Sequence, residues 1–155
     1  MKQVLTPLAF LLASAGAATA SPGGHGTEHP AGLPASPEHA ARTVEITMLE
    51  TGGGGMIFEP AELAFRKGET VLLKAVNGGE MVHELVLDTK ARNAMHGEMM
   101  KKGMEGSHAS ANAITLAPGE TGGIAWTFSN AGTFEFACLI PGHYEAGMSG
   151  TIAVE

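Results

Sequence analysis

The apolar residues of this chain fall in short alternating runs cut by glycine, proline or asparagine, a pattern that a helical bundle has no use for. Thr43 to Leu49 puts Val44, Ile46 and Met48 on one face and Thr43, Glu45 and Thr47 on the other, as a half-buried strand requires. Gly52 to Gly55 ends that run. Phe58, Leu63 and Phe65 then stand as apolar anchors on either side of Pro60, and Lys67-Gly68-Glu69 turns into a second strand over Thr70–Val76. Asn77-Gly78-Gly79 breaks it, and His83–Leu87, Ile114–Leu116, Gly123–Phe128, Thr133–Ala137 and Thr151–Val154 read as further extended segments. Glycine fills 22 of 155 positions, about twice its usual ~7% share, which fits a turn-rich β protein. The pattern predicts an all-β sandwich or small barrel.

One segment breaks the pattern. From Ala91 to His108, the residues Met95, His96, Met99, Met100, Met104 and His108 recur at three- and four-residue steps, which predicts a short helix or an irregular excursion between strands. Two readings of this insert stay open. Its thioethers and imidazoles suit a copper ion of their own, and its methionines equally suit packing an amphipathic helix onto the sandwich. Packing is the reading preferred.

At the N-terminus, Met1-Lys2-Gln3 precedes an apolar run from Val4 to Ala18, and Ala18-Thr19-Ala20 offers small residues for cleavage. Residues 1–20 therefore read as an export signal implying a periplasmic location. A run of about 15 residues is short for a span, so no membrane span is expected after cleavage. Residues 21–41 mix Gly, Pro and Ser with His25, His29 and His39 and show no apolar period, which predicts a mobile leader. The globular unit then covers 42–155. The formal net charge is −7, and removal of the signal takes one lysine and no acid, leaving −8. With no basic cluster beyond Lys101-Lys102, nucleic acid is not an expected partner.

Cys138 is the single cysteine, so it has no internal disulfide partner in an oxidising compartment. It opens Cys138-Leu-Ile-Pro-Gly-His143-Tyr-Glu-Ala-Gly-Met148, where thiol, imidazole and thioether follow one another across four intervening residues each time. Pro141-Gly142 and Gly147 supply the turns that fold such a loop back. A Cys and Met with two His form the donor set of copper electron-transfer sites. The second imidazole is best sought at His83, which starts a strand after the Asn77-Gly78-Gly79 turn.

On these residues the chain resembles the cupredoxins, the blue copper family that includes azurin, plastocyanin and auracyanin. The resemblance rests on Phe58-Glu-Pro60 with Leu63, Phe65 and Gly68-Glu-Thr-Val71, on Asn77 and His83, and above all on Cys138, Pro141-Gly142-His143 and Met148. It covers about residues 43–155. It implies a Greek-key β-sandwich, one type 1 copper ion held by His83, Cys138 and His143, and Met148 as a long axial ligand. Where azurin and plastocyanin carry Asn after the first histidine ligand, this chain has Glu84.

The expected function is a one-electron carrier serving a redox partner protein, with the edge of His143 near the surface. The alternative is a copper-handling protein that buffers the ion or delivers it to a copper acceptor protein, using the insert. No His-x-His occurs for further copper centres, and no Ser-His-Asp pattern or phosphate loop is evident, so enzymatic activity is not expected.

Overall fold

The computed structural model describes residues 29–103 and 110–155. The export signal, His25, Met104 and His108 lie outside the described residues. The chain runs β1 (Leu33–Pro34), a 3₁₀ turn (Pro37–His39), β2 (Arg42–Glu50), β3 (Met56–Glu59), β4 (Glu62–Phe65), β5 (Thr70–Asn77) and β6 (His83–Asp88). Then come α1 (Lys90–Lys101), β7 (Ala113–Leu116), β8 (Thr121–Thr127), β9 (Gly132–Ala137) and β10 (Ser149–Val154).

Two sheets face each other, one ordered β1-β8-β5-β2-β3 and the other β4-β10-β9-β6-β7. The pairs β2–β5 and β4–β10 are parallel, and the other pairs are antiparallel. This is the Greek-key β-sandwich expected from the sequence. Alternation explains the first sheet: along β5, Val71, Leu73 and Ala75 point inward between half-buried neighbours. They meet Ile46 and Met48 of β2, Ile124 and Trp126 of β8, and Phe134 and Phe136 of β9 in one apolar core.

β6 departs from alternation because all six of its residues are buried. Leu85 and Leu87 enter the main core, while Val86 packs on the outer face with Ala137 and Leu139. That outer face is covered by α1, which lies against β6 and β9. Thr89 caps the helix by accepting a hydrogen bond from the Arg92 amide at 3.3 Å.

The helix corrects the packing reading for Met95 and Met99, while Met100 is half-buried. Met95 is 69% exposed and Met99 43%, and Asn93 is the buried residue of α1. Asn93 Nδ2 donates to Glu135 Oε1 at 3.1 Å, so a polar contact ties the helix to β9 where methionine packing was expected.

The leader differs from expectation as well. Of the span expected to be mobile, residues 29–41 form β1 and the 3₁₀ turn. Leu33 and Pro34 pair with Thr127 and Trp126, Ala31 is wholly buried, and the His29 ring stands edge-on to Trp126 at 4.9 Å. An unpaired β8 would expose a row of backbone donors and acceptors, and this segment covers it.

Candidate metal centre

Cys138 follows directly on β9, and the loop after it is folded back by its own backbone. The amides of His143, Met148 and Cys138 donate to the carbonyls of Ile140, His143 and Met148 at 3.0, 3.1 and 3.0 Å. Gly142 and Gly147 make the turns with φ of +93° and +102°, a region where a side chain is strained. Met148 thereby returns beside Cys138 and is wholly buried in the same core cluster.

His83 arrives from the other side. Asn77 Nδ2 donates to the carbonyls of Met81 and Leu116 at 2.8 and 2.9 Å, and its Oδ1 accepts from the Gly79 amide at 3.0 Å. This fastens the turn that delivers His83 as the first residue of β6.

The donor atoms converge. His83 Nδ1 and Cys138 Sγ are each 3.3 Å from His143 Nδ1, and one ligand atom from each residue falls within 4.8 Å of the others. The two rings meet at 67° with centroids 5.1 Å apart. Nitrogens each about 2.0–2.1 Å from a shared ion at tetrahedral to trigonal angles stand roughly 3.3–3.6 Å apart, which the imidazole spacing matches. His83 and Cys138 are fully buried and His143 is 4% exposed.

Protonation favours the same use. His83 Nε2 lies 2.8 Å from Glu50 Oε1. A carboxylate there accepts a hydrogen bond from Nε2–H and leaves Nδ1 with a lone pair facing inward. Burial, and then the neighbouring His83, lower the pKa of His143 below the usual imidazole value, so it too offers a lone pair. Burial pushes the Cys138 thiol up to about 11, and a bound cation reverses that preference by favouring the thiolate. One soft sulfur and two imidazoles, dry and aimed at one point, suit copper.

Sequence reasoning named His83, Cys138, His143 and Met148, and the first three meet here. It missed Glu50. The carboxylate sits at the end of β2, accepts from the Glu80 and Met81 amides at 2.9 and 3.0 Å, and is held down to about pKa 2, first by the Glu80 amide. Nothing in the local pattern around Glu50 announces a partner for His83, because the contact spans 33 positions. Of the leader histidines, His29 lies 3.3 Å from Asp88, while His39 sits in the 3₁₀ turn. Neither approaches this cluster closely enough to join it.

The sequence family described as copper binding proteins, plastocyanin/azurin family, matches residues 45–155. A protein of Rubrivivax gelatinosus named copper-resistant cuproprotein CopI is 44% identical over 139 residues, 90% of this chain and 82% of that one. The chloroplastic plastocyanin of Hordeum vulgare is 32% identical over 107 residues, 69% of this chain and 60% of that one. Among solved structures, the dithionite-reduced auracyanin of Roseiflexus castenholzii shares the fold with a TM-score of 0.63 at 24% identity, covering 75% of this chain and 98% of its own.

Proposed function

Because the chain belongs to the plastocyanin/azurin family of copper-binding proteins, its cofactor is copper, and we propose that His83, Cys138, His143 and Met148 hold one type 1 ion that serves copper tolerance after export to the periplasm. Copper bound there supplies a one-electron couple. The chain's own part is to hold donors that suit both oxidation states, to keep water out, and to keep the loop from rearranging. The observation that carries the reading is the dry convergence of two imidazole nitrogens and a thiol on one point.

The 44% identical relative named for copper resistance puts tolerance ahead of carriage between redox partners, reversing the order expected from the sequence. Carriage remains the second reading. It is favoured by the slight exposure of His143 alone among the two imidazoles, and by Ile140, Pro141 and Tyr144 around it. The charge of −8 after signal removal steers toward a basic redox partner or copper acceptor within about 8 Å at physiological salt. We assign no catalysis to the chain. Among the described residues no helix is long and apolar enough to cross a membrane.

The test is to complement a copper-sensitive bacterial strain with the full chain or its Cys138→Ser variant, and to measure copper content and visible spectrum of both purified proteins. The expected result is growth on copper, one ion per chain and a thiolate-to-copper band for the wild type alone. Equal growth from both variants overturns the tolerance reading, and a band that survives the substitution overturns the ligand set.

A further inference from the structure

We propose that Glu50 is a positioning residue of the copper centre: its carboxylate, clamped by the turn before β6, fixes His83 with Nδ1 toward the metal and biases the bound ion toward Cu(II). The inference rests on the ligand set proposed above and concerns a side chain outside that set.

Three donors converge on this one carboxylate. Oε1 takes the His83 Nε2 contact at 2.8 Å and the Met81 amide at 3.0 Å, and Oε2 takes the Glu80 amide at 2.9 Å. Glu50 is the last residue of β2, so its backbone is set by the pairing of Glu50 with Met56. Space is also reserved for it: a Cβ at Gly79 would run into both carboxylate oxygens, so the turn approaches this closely only because position 79 is glycine. Asn77 holds the same turn through the Met81 carbonyl and the Gly79 amide. The carboxylate is thus fixed at both oxygens before any metal arrives.

Two consequences follow from general chemistry. A carboxylate accepting the outer N–H of a ligating histidine sets its tautomer and ring orientation and makes the inner nitrogen more basic. A fixed negative charge behind that ligand also stabilises the more positive oxidation state, because the side chains around it are desolvated and screen poorly. His83 is wholly buried, while the Glu50 side chain is 24% exposed. The charge therefore stands at the rim of the site and its field enters through the imidazole.

The experiment compares copper-loaded wild type with Glu50→Gln and Glu80→Gln. Glu80 is an exposed carboxylate on the same turn that meets Glu50 through its backbone amide, which the substitution keeps, so Glu80→Gln changes net charge equally without touching His83 or the clamp. Two quantities are read: the reduction potential by redox titration, and the His83 Nε2–H signal of the copper-free protein by NMR. Glu50→Gln is expected to raise the ratio of Cu(I) to Cu(II) affinity about tenfold, equivalent to about 59 mV for a one-electron couple. It is also expected to speed exchange of the His83 proton with water. Glu80→Gln is expected to leave both near wild type. If wild type gives the thiolate band but Glu50→Gln shifts the potential no more than Glu80→Gln, the positioning role is wrong and the ligand set stands. If wild type gives no such band, the ligand set and the inference fail together. Should Glu50→Gln fold poorly, Glu50→Asp keeps the charge and shortens the reach. A wild-type potential and proton exchange in that variant would also overturn the proposal.

Discussion

The Glu84 amide donates to Cys138 Sγ across 3.3 Å, so the strand that carries His83 also touches the sulfur. A backbone donor does not depend on the side chain that follows it. Glu84 therefore keeps this contact although azurin and plastocyanin have Asn there. Replacing Cys138 by Ala removes one weak acceptor and little volume. Denaturant unfolding of the copper-free Cys138→Ala protein should show a loss of about 1 kcal/mol, while the visible band of the copper-loaded form vanishes. A loss of several kcal/mol would make the residue chiefly a core element.

Gly147 has φ of +102°, and a Cβ there would meet only the Met56 carbonyl at an ordinary 3.5 Å. Conformation, not space, is therefore what demands glycine. Gly147→Ala should cost about 1–2 kcal/mol in copper-free unfolding. By disturbing the return to Met148, it should also shift the visible spectrum of the loaded protein. An unchanged spectrum would show that the position of Met148 does not depend on this turn.

The segment before β2 is anchored by a pH-sensitive contact. His29 Nδ1 accepts from the Ala31 amide at 3.3 Å, leaving Nε2 to face Asp88 Oδ2 at 3.3 Å, and Arg92 Nε reaches the same oxygen at 2.9 Å. Burial works against ionisation of Asp88, but His29, the Thr89 amide and Arg92 outweigh it and hold its pKa below the usual carboxylate value. A carboxyl lowered in the folded state stabilises fully above its unfolded value of about 3.9, and the contribution drains away as pH falls through the lower folded value. Asp88→Asn should cost about 1–2 kcal/mol near pH 7, with the difference from wild type beginning to shrink below about pH 4 and gone only below the lowered folded value. Emission from Trp126, the single tryptophan and the ring that His29 abuts, reports the loosening. A difference that persists unchanged at pH 3 would exclude the ionic account.

The strands that alternate, β2 and β5, were legible because one face is solvated or half-covered and period two survives in the sequence. β6 was legible only in part. Glu84 and Asp88 are polar yet buried, so its outer face reads as exposed when the chain is read alone. The Cys138, His143 and Met148 spacing was legible because one loop carries all three, and His83 because a turn announces it. Glu50 was not, since its role arises where the end of β2 lands against the turn at 79–81. The segment 29–41 was hidden for a similar reason: its partner is the edge of β8, almost a hundred positions away.

The insert offers the sharpest contrast between pattern and placement. Four-residue spacing puts Met95 and Met99 on one helix face, and spacing alone cannot say whether that face looks inward. In the fold it looks outward: both side chains are exposed, while the helix is held by Asn93 on Glu135 and by Lys101, whose Nζ lies 2.6 Å from Glu145 Oε1. Exposed residues away from caps and networks change stability by no more than about 0.5 kcal/mol when replaced. The double variant Met95→Gln, Met99→Gln should therefore unfold within that margin of wild type. Asn93→Leu should cost more, because it strands the buried Glu135 carboxylate, which among the described residues then keeps only the Tyr144 hydroxyl at 3.1 Å. Denaturant unfolding of the two copper-free variants side by side decides the matter. If the methionine pair proves the more costly, its thioethers pack after all and the exposed face must lie elsewhere on α1.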